Sequence, residues 1–244
     1  MTRLNVKIFA DGADKKGMLE MHQNPAISGF TTNPTLMRKA GIRDYKAFAL
    51  DILSVVKDRP ISFEVFADDF VEMYRQAMEI AGWGNNVYVK IPVMNTQGVS
   101  SVKLIQDLAK AGVKQNVTAL MTLEQVRDVT HALAHGPSAY ISVFAGRIAD
   151  TGCDPLSIMR DALTIMQPYA QLELIWASPR ELLNVIQADE IGCHIITVTN
   201  DILKKLETIG KDLMEFSLET VKMFRSDAIA AGFELVISEE EAFV

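Results

Sequence analysis

Short apolar runs alternate with helix-like segments along the whole chain. The runs are four to eight residues long, rich in β-branched and aromatic residues, and bounded by turn residues, which is typical of buried strands. They predict eight strands, at residues 4–10, 27–30, 61–66, 86–93, 115–120, 139–144, 172–176 and 194–198. Between the strands, apolar residues recur at helical spacing, and signals such as Asp154-Pro155 and Gly112 mark helix starts and ends.

The order of these elements predicts the fold class. Eight alternating strand–helix units indicate parallel strands with helices outside them, an α/β architecture. Eight units in 244 residues favour one domain, residues 1–244, closed as a (β/α)8 TIM barrel rather than an open sheet. No glycine-rich dinucleotide fingerprint follows the first strand, which also disfavours the open sheet. An extra amphipathic helix, at about residues 213–231, either covers the barrel or contacts a neighbouring subunit, and we expect a homo-oligomer.

Composition and charge narrow the classes of partner. Apolar residues make up 49% of the chain, enough for a large core, and the formal net charge is −7. An acidic protein is unsuited to broad nucleic-acid contact, so we expect no nucleic-acid partner, although one or two arginines suffice for a small phosphorylated metabolite. No uncharged apolar run is long enough to span a bilayer, and the N-terminal residues lack the apolar core of a signal peptide. With two cysteines, Cys153 and Cys193, these features predict a soluble cytoplasmic protein with free thiols and no membrane partner.

The fourth strand carries an unusual charge. Side chains alternate along a strand, so Tyr88 and Lys90 share one face, while Val87, Val89 and Ile91 share the other. Burial disfavours a charged ammonium and favours the neutral amine, which is able to attack a carbonyl group. The structural alternative is a lysine whose charged end reaches out to water.

Polar residues follow or end seven of the eight predicted strands. In a barrel of this kind the active site lies at the carboxyl ends of the strands, so these residues indicate one shared pocket. An amine, two carboxylates and a threonine in such a pocket suit Schiff-base chemistry, in which an amine attacks a ketone and a carboxylate moves the proton. The candidates are Asp11, Thr32, Asn33, Glu64, Lys90, Asn116, Thr118, Ser142, Arg147, Ser178 and Arg180.

Several candidates also have purely structural interpretations. Asp11 and Asn33 suit turns or helix caps, and Glu64 suits an ion pair. Thr118 suits the interior of a strand as a β-branched residue.

The same holds for the candidate cations near the last strands. Arg147 has Asp150 and Asp154 close by in sequence as ion-pair partners. The segment Ser178-Pro179-Arg180 suits the start of a helix.

Seven short motifs stand at these strand ends, in the order Phe9-Ala10-Asp11, Gly29-Phe30-Thr31-Thr32-Asn33-Pro34-Thr35-Leu36, Ser62-Phe63-Glu64-Val65, Val89-Lys90-Ile91-Pro92, Asn116-Val117-Thr118, Phe144-Ala145-Gly146-Arg147-Ile148-Ala149-Asp150 and Ala177-Ser178-Pro179-Arg180. Together they resemble the transaldolase family, and the resemblance covers nearly the whole chain. The second motif and the Gly-Arg-Ile-x-Asp part of the sixth are specific, whereas each of the others is weak by itself. The chain is similar to the short form of the family, close to the fructose-6-phosphate aldolase-like members.

The resemblance implies roles for the residues at the reacting centre. Lys90 would form the Schiff base with the donor ketose. Asp11 would be the general acid/base at the hydroxyl whose deprotonation splits the carbon–carbon bond. Glu64 and Thr118 would hold the water that relays protons while the imine forms.

The resemblance also implies a substrate-binding set. Hydroxyl groups of the three-carbon unit would be bound by Asn33 and Asn116, with Thr32 and Ser142 close by. The substrate phosphate would be held by Arg147, Ser178 and Arg180, since the planar guanidinium suits that oxyanion.

The implied reaction transfers a dihydroxyacetone unit from a ketose phosphate, such as sedoheptulose 7-phosphate or fructose 6-phosphate, to an aldose phosphate. Glu64 favours this reaction, because the aldolase-type members of the family carry an amide there. Two alternatives stay open: an aldolase that uses free dihydroxyacetone, and a non-catalytic barrel that binds sugar phosphates. Valine follows Ser142 where the family has proline, which leaves the shape of the substrate pocket open.

The family uses no metal and no organic cofactor, so we expect neither. His131 and His135 are four residues apart on a predicted helix, a spacing that zinc sites use. No third ligand is evident in the sequence, and a solvated helix face is the simpler interpretation.

Overall fold

The computed structural model of the protein describes residues 4–235. Its eight strands are all parallel and pair in sequence order, with β8 returning to β1, so they close a barrel. This confirms the predicted (β/α)8 TIM barrel. The strands are β1 Lys7–Asp11, β2 Ile27–Thr31, β3 Ile61–Glu64, β4 Val87–Pro92, β5 Gln115–Leu120, β6 Ala139–Val143, β7 Leu172–Trp176 and β8 Ile195–Val198.

Helices surround the barrel where the sequence predicted them. The α-helices are α1 Lys15–Gln23, α2 Pro34–Lys39, α3 Tyr45–Val55, α4 Phe70–Ala81, α5 Val102–Lys110, α6 Leu123–Leu133, α7 Ala145–Ala149, α8 Pro155–Met166, α9 Leu183–Glu190, α10 Asn200–Lys204 and α11 Leu213–Ala230. A 3-10 helix, Lys205–Thr208, follows α10. Side-chain oxygens accept hydrogen bonds from first-turn amides at several starts, including Asp14 for α1, Thr122 for α6 and Asp154 for α8.

Helix α4 is capped by Asp69, whose carboxylate accepts from the amides of Val71 and Glu72, at 3.0 Å each. Asp68 instead accepts from the amide and hydroxyl of Thr96, at 2.7 Å each, and so ties the β3–α4 connection to the β4–α5 loop.

The helix after β4 begins only at Val102, because Asn95 Oδ1 accepts from the amides of Gln97 and Val99 and holds the preceding stretch in a turn. Arg147 lies in the short helix α7, which follows β6.

The barrel has two apolar layers, as alternation along the strands predicts. Val87, Val89 and Ile91 pack outward in the large core between strands and helices. Tyr88 packs in a separate inner cluster with Phe9 and Tyr140, among others. A side chain on Gly29 would overlap the Phe9 ring, because a Cβ there would lie 2.6 Å from it, so glycine makes room for this ring inside the barrel.

The chain divides into two compact units, one ending at Leu206 and one beginning at Glu207. The first contains the barrel. The second contains α11, whose eighteen residues are all described and none of which is buried. The single-domain organisation of residues 1–244 stays a prediction. Within residues 4–235, no helix combines the length and apolar character needed to cross a membrane.

Candidate active site

A cavity of about 620 Å³ opens at the carboxyl ends of the strands. Ten of the eleven predicted site residues line it, from loops and strand ends that are far apart in sequence. They are Asp11, Asn33, Glu64, Lys90, Asn116, Thr118, Ser142, Arg147, Ser178 and Arg180.

Strand register explains why three of these side chains are neighbours. Glu64 on β3 pairs with Lys90 on β4, and Lys90 pairs with Asn116 on β5. Directly paired residues of parallel strands point to the same side of the sheet. A carboxylate, an amine and an amide therefore lie in one row across three strands, on the face that carries Tyr88 one pleat below.

The Lys90 amine is held in a polar position within the barrel. Lys90 is 7% exposed, and its Nζ donates to the backbone carbonyl of Thr32 at 2.8 Å. Nζ also lies 3.1 Å from Glu64 Oε2. Glu64 is fixed in turn by the Tyr45 hydroxyl, which accepts from its amide at 2.7 Å and donates to its carbonyl at 2.8 Å. The buried Lys90 amine thus lies beside the carboxylate of a residue whose backbone is held in place.

Asp11 has a different environment from Glu64. Asp11 ends β1 and is half-buried, and Oδ1 accepts from the Thr31 hydroxyl at 2.9 Å. Oδ2 lies 3.4 Å from Asn33 Nδ2, a long hydrogen bond. Burial raises the pKa of the Asp11 carboxyl, while the Lys90 charge and the Thr31 hydroxyl lower it in part and Glu64 adds to the rise. Such a carboxyl is suited to both accepting and returning a proton.

Asn33 is a helix cap, which is one of the two interpretations made from the sequence. Its Oδ1 accepts from the amide of Leu36 at 2.9 Å and so caps α2, while its Nδ2 points toward Asp11. Asp11 itself is no helix cap, because Asp14 caps α1.

A buried polar chain crosses the neighbouring strands. Ser142 Oγ donates to Asn116 Oδ1 at 2.7 Å, and Asn116 Nδ2 donates to Ser62 Oγ at 3.0 Å. These bonds fix the orientation of the Asn116 amide in the row with Lys90. Thr118, also buried, lines the same cavity.

The far side of the cavity carries two arginines. Arg180 donates to the carboxylate of Asp150 and, at 3.4 Å, to the carbonyl of Gly146. Arg147 is exposed, and no ion pair is found for it among residues 4–235. The sequence offered Asp150 as a partner of Arg147, whereas the structure pairs Asp150 with Arg180.

The backbone around Ser178 is tightly constrained. Ser178 has φ +58°, a left-handed conformation that is rare outside glycine. A Cβ on Gly146 would lie 1.6 Å from the Ser178 carbonyl oxygen, so only glycine allows α7 to approach this loop. Because α9 begins only at Leu183, the segment from Ser178 to Arg180 precedes the helix instead of forming its first turn.

Thr32 is the predicted residue that is not among the described residues lining the cavity. Its side chain is fully buried and its hydroxyl donates to the Ser62 carbonyl at 2.9 Å. Its contribution to the site is the backbone carbonyl that accepts from Lys90.

Several polar residues around the site were not among the candidates from the sequence, including Thr35, Thr199 and Asp201, which line the cavity. Thr31 and Thr197 line the cavity, and Tyr45 and Ser62 hold its members in place. Thr31, Thr197 and Ser62 could have been found from alternation, since each lies on the strand face that points inward. Tyr45 lies on α3, and no pattern in the sequence connects it with Glu64.

No group of three or more metal-ligating side chains occurs among the residues that the structure describes. His131 and His135 are both exposed, at and just beyond the end of α6.

Replacement of Asp11 by asparagine (Asp11→Asn) is expected to stabilise the fold at neutral pH. Burial raises the pKa of Asp11, so its ionisation costs about 1.4 kcal/mol in the folded state for each unit of that rise. The unfolded chain ionises near pH 4, so wild-type stability falls relative to the variant as the pH rises above about 4. Urea unfolding at about pH 4 and about pH 8 checks this, and a larger advantage at the lower pH would contradict it. Asp161→Asn, at an exposed position of α8, is the control.

Known proteins resemble the chain over most of its length. The sequence model described as Transaldolase/Fructose-6-phosphate aldolase matches residues 8–242. A probable transaldolase of Thermoanaerobacter sp. (strain X514) is 36% identical over 231 residues, covering 94% of this chain and all of the relative. A probable transaldolase of Dehalococcoides mccartyi is 35% identical, covering 82% of this chain and 90% of the relative.

Solved structures with low sequence identity resemble the chain in fold alone. KGPDC from Streptococcus mutans has a TM-score of 0.56 at 10% identity, covering 82% of this chain and 89% of that one. The 3-keto-L-gulonate-6-phosphate decarboxylase of Vibrio cholerae has a TM-score of 0.54 at 11% identity, covering 81% and 89%. With the family match and these relatives, the chain belongs to the transaldolase/fructose-6-phosphate aldolase family, whose sequences support an enzyme of aldolase type.

Proposed function

We propose that the protein is a transaldolase that transfers a dihydroxyacetone unit between sugar phosphates through a Schiff base on Lys90. One observation carries this proposal: a buried lysine amine lies 3.1 Å from a carboxylate, in a cavity that a second carboxylate also lines. Pure binding of a sugar phosphate requires neither the amine nor the two carboxylates in this arrangement, so the geometry favours turnover.

The proposed reaction uses Glu64 and Lys90 first. The Lys90 ammonium gives a proton to Glu64, and the neutral amine attacks the ketone carbon of the donor sugar. Glu64 then returns the proton to the hydroxyl of the resulting carbinolamine, this hydroxyl leaves as water, and an iminium ion forms on Nζ. We assign Thr118 to holding this water together with Glu64, since both line the cavity.

Cleavage then uses Asp11. Its carboxylate takes the proton of the hydroxyl on the carbon beyond the bond that breaks. The C3–C4 bond breaks, the aldose phosphate leaves, and the bonding electrons move toward the iminium nitrogen to form an enamine. The reverse sequence with an acceptor aldose phosphate, followed by hydrolysis of the imine, completes the transfer. The reaction as proposed needs no metal and no organic cofactor.

The remaining cavity residues are assigned to substrate. Hydroxyls of the three-carbon unit are bound by Asn33, Asn116 and Ser142, and the phosphate is bound by Arg147, Ser178 and Arg180. Sedoheptulose 7-phosphate and fructose 6-phosphate are the donors we propose. This chemistry belongs to the pentose phosphate pathway and to a cytoplasmic enzyme, a setting that the free thiols of Cys153 and Cys193 suit.

Borohydride trapping tests the central step. The protein is incubated with fructose 6-phosphate, reduced, digested and analysed by mass spectrometry. We expect an adduct on Lys90, lost in Lys90→Met and kept in Lys103→Met, an exposed lysine of α5. A folded wild-type protein that gives no adduct with any of several ketose phosphates would overturn the proposal in favour of a binding barrel.

Activity assays on the same protein distinguish a transaldolase from an aldolase. Transfer of the three-carbon unit to erythrose 4-phosphate identifies a transaldolase. Release or uptake of free dihydroxyacetone at a comparable rate identifies the aldolase alternative.

Arg147→Met is expected to raise KM for a phosphorylated donor about 10- to 100-fold, because a charge-assisted contact to phosphate contributes about 1.5–3 kcal/mol. Arg180→Met should raise it less, because Asp150 already pairs with Arg180. Steady-state kinetics with fructose 6-phosphate and with unphosphorylated fructose measures both effects, and only the phosphorylated sugar should respond. Arg160→Met, on the exposed face of α8, is the control. Equal losses for both sugars would contradict a phosphate contact.

We also propose that the protein is a homo-oligomer in which α11 contacts another copy. The apolar side chains of α11 support this, since Val221 and Phe224 are 60% and 63% exposed. Light scattering should give a multiple of the 27.0 kDa chain mass, and Val221→Asp with Phe224→Asp should lower it. Lys222→Ala on the same helix should leave the mass unchanged, and a monomeric wild type would refute the contact.

A further inference from the structure

We propose that Thr31 and Thr197 form a hydroxyl chain that positions Asp11 and leaves its Oδ2 as the oxygen that exchanges a proton with the substrate. This inference rests on the proposed acid–base role of Asp11. It adds two positioning residues and an assignment of the reacting oxygen.

Three neighbouring strands of the barrel form the chain. Asp11 on β1 pairs with Thr31 on β2, and β1 also pairs with β8, which carries Thr197. Thr31 Oγ1 lies 2.9 Å from Asp11 Oδ1 and 2.7 Å from Thr197 Oγ1. Both threonines are buried. The three groups therefore form a continuous line of hydrogen bonds inside the barrel, ending at the carboxylate.

Proton count fixes the direction of this chain. A threonine hydroxyl has one proton to donate, and an ionised carboxylate has none. While Asp11 is ionised, the Thr31 proton lies on the bond to Oδ1, so Thr31 accepts from Thr197 in the second bond. Thr197 thus orients the donor of Asp11 without touching Asp11 itself, and each bond polarises the next.

The two oxygens of Asp11 are therefore unequal. Oδ1 is occupied by a hydroxyl that is itself held by a second hydroxyl. Among residues 4–235, the one hydrogen bond found for Oδ2 comes from Asn33 Nδ2 and is long at 3.4 Å, while Asn33 Oδ1 accepts from the amide of Leu36. Oδ2 accepts a proton from the substrate more readily than Oδ1, because only a weak hydrogen bond to Oδ2 is lost when the proton binds.

Charged groups around Asp11 come from several elements. Lys90 on β4 and Glu64 on β3 act on it directly. The cavities that Asp11 lines also carry Asp14 at the start of α1, Lys39 on α2, Asp201 on α10 and the arginines Arg147 and Arg180. A threonine-to-valine change alters none of these charges and keeps the side-chain shape, so it isolates the hydroxyl.

The pH dependence of kcat/KM for cleavage of fructose 6-phosphate tests the chain. A hydroxyl donor stabilises the ionised carboxylate. Thr31→Val should therefore move the acid limb, the fall of kcat/KM on the acidic side of the profile, to higher pH by about one unit. Thr31→Ser, which keeps the hydroxyl, should restore the wild-type limb. Thr197→Val should move the limb in the same direction by less.

The double variant is the sharpest part of the test. If Thr197 acts only through Thr31, Thr31→Val with Thr197→Val gives the same limb as Thr31→Val alone. Additive shifts would overturn the chain, since Thr197 would then act on Asp11 by another route. If Thr31→Val does not fold, the test uses Thr197→Val, for which a smaller shift of the acid limb is expected.

Controls separate this inference from the proposed function. Thr130→Val on α6 is the matched control, because Thr130 is also buried and its hydroxyl has no hydrogen-bond partner among the described residues. Each variant is first checked for the Lys90 borohydride adduct. Unmoved limbs in proteins that form the adduct would overturn the hydroxyl chain and leave the transaldolase proposal standing. A wild type without adduct would overturn the proposed function, and the inference with it.

Discussion

A lysine inside an apolar barrel requires compensation of its charge, and the pairing of β3, β4 and β5 supplies it. Register sets Glu64 beside Lys90 and Asn116 on the other side, so the buried amine has a carboxylate 3.1 Å away. Removal of either member of a buried ion pair costs several kcal/mol, so Glu64 and Lys90 depend on each other. The rest of the site is arranged around this row.

A layer of aromatic side chains lies beneath the row and closes the site on that side. Tyr88 lies on the same face of β4 as Lys90, stacked on Tyr140 with ring centroids 4.1 Å apart, and Phe9 meets Tyr140 edge-on at 5.6 Å. These rings fill the barrel interior in the inner apolar cluster. The polar residues thus rest on a packed base, and their freedom is limited to the cavity above it.

Two carboxylates in one cavity have different environments, which suits them to different tasks. Glu64 is an ion-pair partner whose backbone is held by Tyr45. Asp11 accepts from the Thr31 hydroxyl and, at 3.4 Å, from the Asn33 amide, and burial raises its pKa. In many enzymes, two carboxyl groups with different environments serve different proton transfers. At the opposite wall, one arginine is paired with Asp150 and the other is exposed, so the two cations are also unequal.

The sequence by itself determined the barrel, the family and ten of the residues that line the cavity. Period-two alternation, cap residues and eight repeated units follow from local chemistry, and polar residues at strand ends must meet once parallel strands close. Tertiary structure decided what local patterns do not encode. Examples are the Tyr45 bonds to Glu64, the pairing of Asp150 with Arg180 instead of Arg147, and the burial of the Thr32 side chain. Each of these features depends on how close residues from different segments lie in the folded chain. That closeness is set by strand register and packing across the whole barrel, and no single segment encodes it.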